Sequence, residues 1–216
     1  MGTIKEEFSK DIRKQKAAGR IDSSKYEQAL AQYNLEISDD EVKAAVKKII
    51  EEKVPENNNL EVKKFLFGSI EYTTLSVTDT EEKVLGMVEK INKFNEDYPE
   101  LPHVAAICTY PNFTKLIADS LEVEGVEVAN VRGAFPSSQT FLEVKTIETK
   151  LAIQDGATQI DIVLPVGKFL SGDYEDVYDT VSELKQTCGE IPMKVILETG
   201  DLPNARSIKE AALLSM

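Results

Sequence analysis

Three observations predict an α/β fold of the (β/α)8 TIM-barrel type, with this chain supplying about the first five strand–helix units. Strand-like and helix-like segments alternate five times from residue 61 to residue 216. Several of the strands are apolar on one side and small or polar on the other. Two opposite charges, Asp161 and Lys194, fall on the polar side of consecutive strands. Regular β-then-α alternation implies a parallel sheet built from right-handed crossovers.

Residues 1–60 carry no convincing strand, are rich in Lys, Glu, Asp and Gln, and read as a helical N-terminal extension. SSKYEQALAQYNL predicts one helix, opened by Ser23 or Ser24. ISDDEVKAAVKKIIEEKV predicts a second, with Ser38 and Glu41 as a capping box and Val42, Val46, Ile49 and Ile50 on one face. PENNN is expected to break it. The extension is expected to pack on the larger body, where it covers surface or makes oligomer contacts.

Residues 61–216 form the partial barrel. VKKFLFGSIE is the first strand, and DTEEKVLGMVEKINKFNEDYP an amphipathic helix entered through Thr78 and Glu81. HVAAICTYP and NFTKLIADSLEVEG make the second unit, VEVANVRGAFP and SQTFLEVKTIETKLAIQDG the third. TQIDIVLP with DYEDVYDTVSELKQTCG is the fourth, and MKVILETG with ARSIKEAALLSM the fifth.

Five units suit either a doubly wound sheet or part of a barrel, and a spacing of about 31 residues per unit fits both. Side-chain parity separates them, because alternate residues of a strand share a face. Glu71, Cys108, Asp161 and Lys194 lie on one side, whereas Ala105, Ile107, Ile160, Ile162, Val195 and Leu197 lie on the other. A doubly wound sheet needs two apolar faces. A barrel needs one, under its helices, and opens its interior into a site at the C-terminal mouth.

Composition narrows the function classes. Lys+Arg 25 against Asp+Glu 38 leaves a net charge of −13, which excludes nucleic acid and anionic membrane as main partners. It does not exclude a small anionic substrate. Two cysteines and one histidine make neither a disulfide framework nor a metal-ligand spacing, so no metal is expected. MGTIKEEFSKDIRKQ lacks a signal-peptide core, Glu6 stands where myristoylation wants Ser or Thr, and no apolar run approaches the length of a membrane span. A reduced, cytoplasmic protein is expected.

In a barrel, Asp161 and Lys194 would sit on neighbouring strands about 4.8 Å apart. Unit charges about 4 Å apart attract by about 4 kcal/mol at an effective dielectric near 20, which offsets much of their desolvation. Such a pair can simply satisfy itself. However, buried pairs seldom improve on apolar packing, which makes function a reason to keep one. The residues alone lead to an acid–base site at a barrel mouth.

The set AAICTYP, ANVRGAFP, ETKLAIQDGATQIDIVLP, SGDYEDVY and MKVILETGDL, from about residue 65 to the end, resembles the 2-deoxyribose-5-phosphate aldolase family of class I aldolases. The resemblance implies reversible cleavage of 2-deoxy-D-ribose 5-phosphate to acetaldehyde and D-glyceraldehyde 3-phosphate, in deoxyribose phosphate catabolism. It implies a lysine Schiff base and no metal or organic cofactor. Asp161 falls on the family's proton-relay aspartate and Lys194 on the lysine that hydrogen-bonds to it. Cys108 falls on a cysteine lining the pocket, which equally suits a small buried hydrophobe. Thr73 and Thr74 fall where substrate is contacted, though either hydroxyl also suits capping the next helix. Glu71 stands where the family usually has Asp. Thr158 and Gln159, replacing a more usual acidic pair, are expected to touch structure only. His103 is expected to be structural, and Glu198 to orient Lys194 or solvate the rim.

By the same resemblance the Schiff-base lysine belongs to strand six, its pKa-lowering partner to strand seven, and the phosphate to the loops after strands seven and eight. AALLSM falls before strand six, so the chain by itself is expected to be inactive. Three readings follow: a partial record of an aldolase, a shortened non-catalytic paralogue that binds or supports a partner, or a complete five-stranded binding domain. The first is preferred, because an isolated arc leaves unpaired strand edges. Strand order 1-2-3-4-5 would favour the barrel, and 2-1-3-4-5 the doubly wound sheet.

Overall fold

The computed structural model describes residues 24–216; the reading of MGTIKEEFSKDIRKQ and the cap expected at Ser23 lie outside the described residues. Helix α1, Ser24–Leu30, buries Tyr26 and Leu30, with Tyr26 packed against Leu164, Phe169, Val177 and Leu214. Helix α2, Asp39–Asn57, opens on the expected capping box: Ser38 Oγ accepts from Glu41 N at 3.2 Å, and Glu41 Oε2 accepts from Ser38 N at 2.8 Å. Its apolar stripe does not pack on the body as expected. Val46, Ile49 and Ile50 are 47%, 57% and 55% exposed, and the first turn makes contact instead, through Ala205 N donating to Asp39 Oδ1 at 2.7 Å.

The first strand is shorter and later than its apolar run suggests. Asn59 Oδ1 accepts from Val62 N at 3.0 Å and so caps a third helix, α3, Leu60–Phe67, and β1 is only Glu71–Thr73. A short apolar run fits both periods, and the local cap decides here. Glu71 therefore begins the strand instead of ending it. Helix α4, Glu81–Asp97, is entered through Thr80 and not Thr78, with Thr80 Oγ1 accepting from Lys83 N at 3.2 Å.

The remaining units follow the expected order. They are β2 Ala106–Thr109, a 3-10 turn Pro111–Phe113, α5 Thr114–Ser120, β3 Glu127–Arg132 and α6 Leu142–Gln154. Then come β4 Gln159–Val163, a short α7 Val166–Ser171 that the pattern had not signalled, α8 Tyr174–Cys188, β5 Met193–Ile196 and α9 Ala205–Ser215. All pairings are parallel and the order is β1-β2-β3-β4-β5, as in a barrel arc and unlike the doubly wound order.

The two faces differ as parity requires. Ile107 and Val128 pack under Val84, Val88 and Ile117, while Ile160 and Ile162 pack under Ala152, Val181 and Leu184. The opposite face is built from small residues, Ala106, Cys108, Ala129 and Val131. Small residues there leave room for longer polar side chains to enter the interior. Among the described residues, no helix is long and apolar enough to cross a membrane.

Candidate active site

Asp161 occupies the middle of β4, in register with Val131 on β3 and Lys194 on β5. Its parity sends it to the inner face, where its side chain is only 2% exposed, whereas that of Lys194 is 43% exposed. Lys194 Nζ lies 2.7 Å from Asp161 Oδ2 and also 2.7 Å from Glu71 Oε2. Gln159, two residues before Asp161 and so on the same face, donates from Nε2 to Glu71 Oε1 at 3.3 Å and to Asp161 Oδ1 at 3.4 Å. Asp161, Glu71, Gln159 and Lys194 thus form one continuous network.

Burial pushes the Asp161 carboxyl above its ordinary range, and the Lys194 ammonium opposes that shift without cancelling it. Burial pulls Lys194 down, but its hydrogen bonds to Asp161 and Glu71 outweigh it, so the ammonium titrates above the ordinary lysine range. The cluster therefore holds a firmly charged cation beside a carboxyl that accepts a proton more readily than a surface aspartate. Such a pair can relay protons to a carbonyl or hydroxyl placed in the interior.

Cys108 is buried with its Sγ 4.0 Å from Asp161 Oδ2, and burial pushes the thiol up to about 12, so it stays protonated near neutral pH. Thr73 lies opposite Cys108 in the β1–β2 register and donates to the Glu71 carbonyl at 3.0 Å. Thr74 turns away from the interior and donates to the Asp79 carboxylate at 2.9 Å, organising the loop before α4. Asp161, Lys194, Glu71, Cys108 and Thr73 are thereby brought to one face.

One expectation changes. Gln159 belongs to the charged network and is not merely structural; its parity with Asp161 was the available signal. Among the described residues, the carboxylates within ion-pair distance of Lys194 are those of Asp161 and Glu71, while Glu198 follows β5 in left-handed backbone, φ 54. Thr158 accepts from Val128 N at 2.8 Å, a structural contact. His103 shares its Nδ1 with the Val104 carbonyl at 2.8 Å and lies against Gly125, where a Cβ would stand 3.1 Å from its ring.

A polar cluster on the helical side had no sequence forecast. Arg132, 1% exposed, donates to Asn130 Oδ1 at 2.9 Å, and Thr114 Oγ1 donates to the same oxygen at 2.9 Å. Burial lowers the guanidinium to about 10, and Arg132 Nε finds no partner among the described residues.

Glu71, Cys108 and Asp161 present ligand atoms within 4.8 Å of one another. The donor set suits a metal poorly. The Lys194 ammonium already bridges both carboxylates, and a thiol titrating at about 12 gives up its proton reluctantly.

A family model described as DeoC/LacD family aldolase matches residues 72–212, which take in all five strands but Glu71. The human deoxyribose-phosphate aldolase is 32% identical over 157 residues, covering 68% of this chain and 49% of that protein. The mouse protein of the same name is 34% identical over 158 residues, again 68% of this chain and 49% of the other. The chain spans about half the length of these curated relatives. Among solved structures, the tetrameric deoxyribose phosphate aldolase of Aeropyrum pernix superposes with a TM-score of 0.53 at 33% identity, covering 65% of this chain and 56% of that one.

Proposed function

The chain belongs to the DeoC/LacD family of aldolases, and on that premise we propose that the barrel to which its five strands contribute is a deoxyribose-phosphate aldolase. It cleaves 2-deoxy-D-ribose 5-phosphate reversibly to acetaldehyde and D-glyceraldehyde 3-phosphate by class I, Schiff-base chemistry. The setting is cytoplasmic deoxyribose phosphate catabolism, and the protein self-associates. The observation that carries this reading is the Asp161–Lys194 pair, 2.7 Å apart on the inner face with Asp161 almost wholly buried.

Cleavage of a 3-hydroxy imine needs a base to take the hydroxyl proton as the carbon–carbon bond breaks, and an acid to return a proton to the enamine. Asp161, its carboxyl raised by burial, supplies that exchange, directly or through one water. Lys194 keeps the carboxylate aimed and its negative charge compensated. Gln159 holds the other oxygen of Asp161, so both carboxylate oxygens are fixed. Cys108, a protonated thiol beside Asp161, supplies a small wall against the two-carbon donor. Thr73 and Glu71, presented from β1 on the same face, are assigned to substrate contact.

The test is release of acetaldehyde from 2-deoxy-D-ribose 5-phosphate by the whole barrel, with and without Asp161→Asn. Cleavage by the parent protein and a fall in kcat of about 10²–10⁴-fold in the variant are expected. A variant with undiminished kcat removes Asp161 from the relay. A parent protein that does not cleave this sugar phosphate, in the presence of an intact fold, removes the substrate assignment.

A further inference from the structure

The helical layer contains a cavity with polar groups in its wall, separate from the inner face. It has a volume of about 450 Å3 and is walled by Ser138 and Thr140 from the β3–α6 loop, Lys145 from α6, Lys168 from α7, and Asp176 and Thr180 from α8. Lys145 is only 3% exposed, and its Nζ donates to Ser138 Oγ at 2.8 Å. Among the described residues, no carboxylate lies within ion-pair distance of it, which is unusual for a buried ammonium because desolvating an unpaired charge costs several kcal/mol. Lys168 is differently placed, 3.1 Å from Asp173 and 3.3 Å from Asp176.

We propose that this cavity binds a small hydroxylated monocarboxylate, with the ligand's carboxylate on Lys145 and its hydroxyls on Asp176, Thr140 and Thr180. The charge pattern selects that class. Lys145 offers a positive charge with no carboxylate in direct contact among the described residues, and two ammonium protons beyond the one given to Ser138. Asp176, paired with Lys168 at 3.3 Å, stands in the same wall, where its carboxylate disfavours a dianion more than a monoanion and accepts hydrogen bonds from alcohols. The hydroxyls of Thr140 and Thr180 add donors and acceptors to the wall. The volume is more than ample for a ligand of a few carbons.

The wall is built in advance of any ligand. Gly133 N donates to Glu148 Oε2 at 2.7 Å, and the Lys145 stem lies 3.5 Å from where a Gly133 Cβ would stand. Ser138 holds left-handed backbone at φ 59 and is 5% exposed. Lys145 and Glu148, one turn apart on α6, therefore fix the loop that carries Ser138 and Thr140.

D-glycerate, inorganic phosphate and glycerol, titrated calorimetrically at matched ionic strength, test the assignment. D-glycerate is expected to bind saturably, phosphate at least about tenfold more weakly, and glycerol not detectably. Lys145→Met is expected to weaken D-glycerate at least about tenfold while Asp161→Asn leaves it unchanged. Loss of D-glycerate binding in Asp161→Asn alone would place the ligand on the inner face and overturn the proposal. So would equal binding by Lys145→Met, tighter binding of phosphate, or no binding to the parent protein, which would leave Lys145 as a loop clamp. Should Lys145→Met not fold, reductive methylation of the parent protein decides. D-glycerate slows labelling at Lys145 if the proposal holds, and an unchanged rate there overturns it.

Discussion

Lys194 Nζ on β5 lies 2.7 Å from Glu71 Oε2 on β1, so one ion pair joins the two outermost strands of the five-stranded arc. Four strand spacings in a flat sheet would separate β1 and β5 by about 19 Å, beyond the combined reach of a lysine and a glutamate. The contact therefore requires a strongly curled sheet, and it draws residues 123 positions apart in sequence together on one face.

Glu71→Gln is expected to lower stability by less than about 1 kcal/mol in urea unfolding, because the side chains are 43% and 32% exposed and such pairs are weak. The larger effect falls on Lys194, whose titration moves down toward the ordinary lysine range once one of its two carboxylate partners is gone. A lysine-selective NMR titration checks it. An unmoved Lys194 would mean that Asp161 alone sets its protonation.

Acetaldehyde with borohydride is expected to leave Lys194 unmodified. Imine formation needs a neutral amine, and Lys194 is held as an ammonium by Asp161 at 2.7 Å and Glu71 at 2.7 Å. Peptide mapping of the trapped protein reads the site directly. A two-carbon adduct on Lys194 would reassign it from positioning residue to nucleophile.

Much of this arrangement was legible in the residues. Alternation from residue 61 onward predicts the crossovers, and parity sends Asp161 and Lys194 inward; both follow from local periods. The partnership of Glu71 with Lys194 was not legible, because it depends on curvature, a property of the closed layer and not of any segment. VKKFLF misled because six apolar and basic residues satisfy the helix and strand periods alike, and the deciding contact, Asn59 to Val62, lies in the capping residue. Arg132 escaped notice for a related reason. It faces the helices, and a buried guanidinium there is supported by Asn130 and Thr114 only once α5 has docked.

Cys108 is expected to resist alkylation. With the thiol pushed up to about 12 by burial and by the adjacent Asp161 charge, its thiolate fraction near neutral pH is negligible. Iodoacetamide labelling followed by mass spectrometry should find Cys108 unmodified in the folded protein and modified after denaturation. In Asp161→Asn the thiol is expected to titrate lower and to label faster. Rapid labelling of the folded parent protein would show Cys108 to be an activated nucleophile.

Removing Lys194 leaves Asp161 as a buried carboxylate without its cation, and the pH dependence of that loss has a definite sign. Burial and the Glu71 charge both raise the folded-state Asp161 pKa above 3.8, so the folded state binds the proton more readily than the unfolded chain. Stability from this group is thus highest below 3.8 and falls as pH rises through the folded value. Lys194→Met pushes that folded value higher, so its deficit against the parent protein is greatest near neutrality, about 1–3 kcal/mol, and shrinks in acid. In the opposite limb, the Lys194 contribution of the parent protein is complete below 10.5 and lost as pH rises through its raised folded pKa, a loss the variant cannot show. Adding Asp161→Asn to Lys194→Met should restore most of the deficit near neutrality and little in acid. Urea unfolding of the four proteins across pH closes the cycle, and a coupling energy near zero at neutral pH would show that Lys194 and Asp161 do not act as a pair.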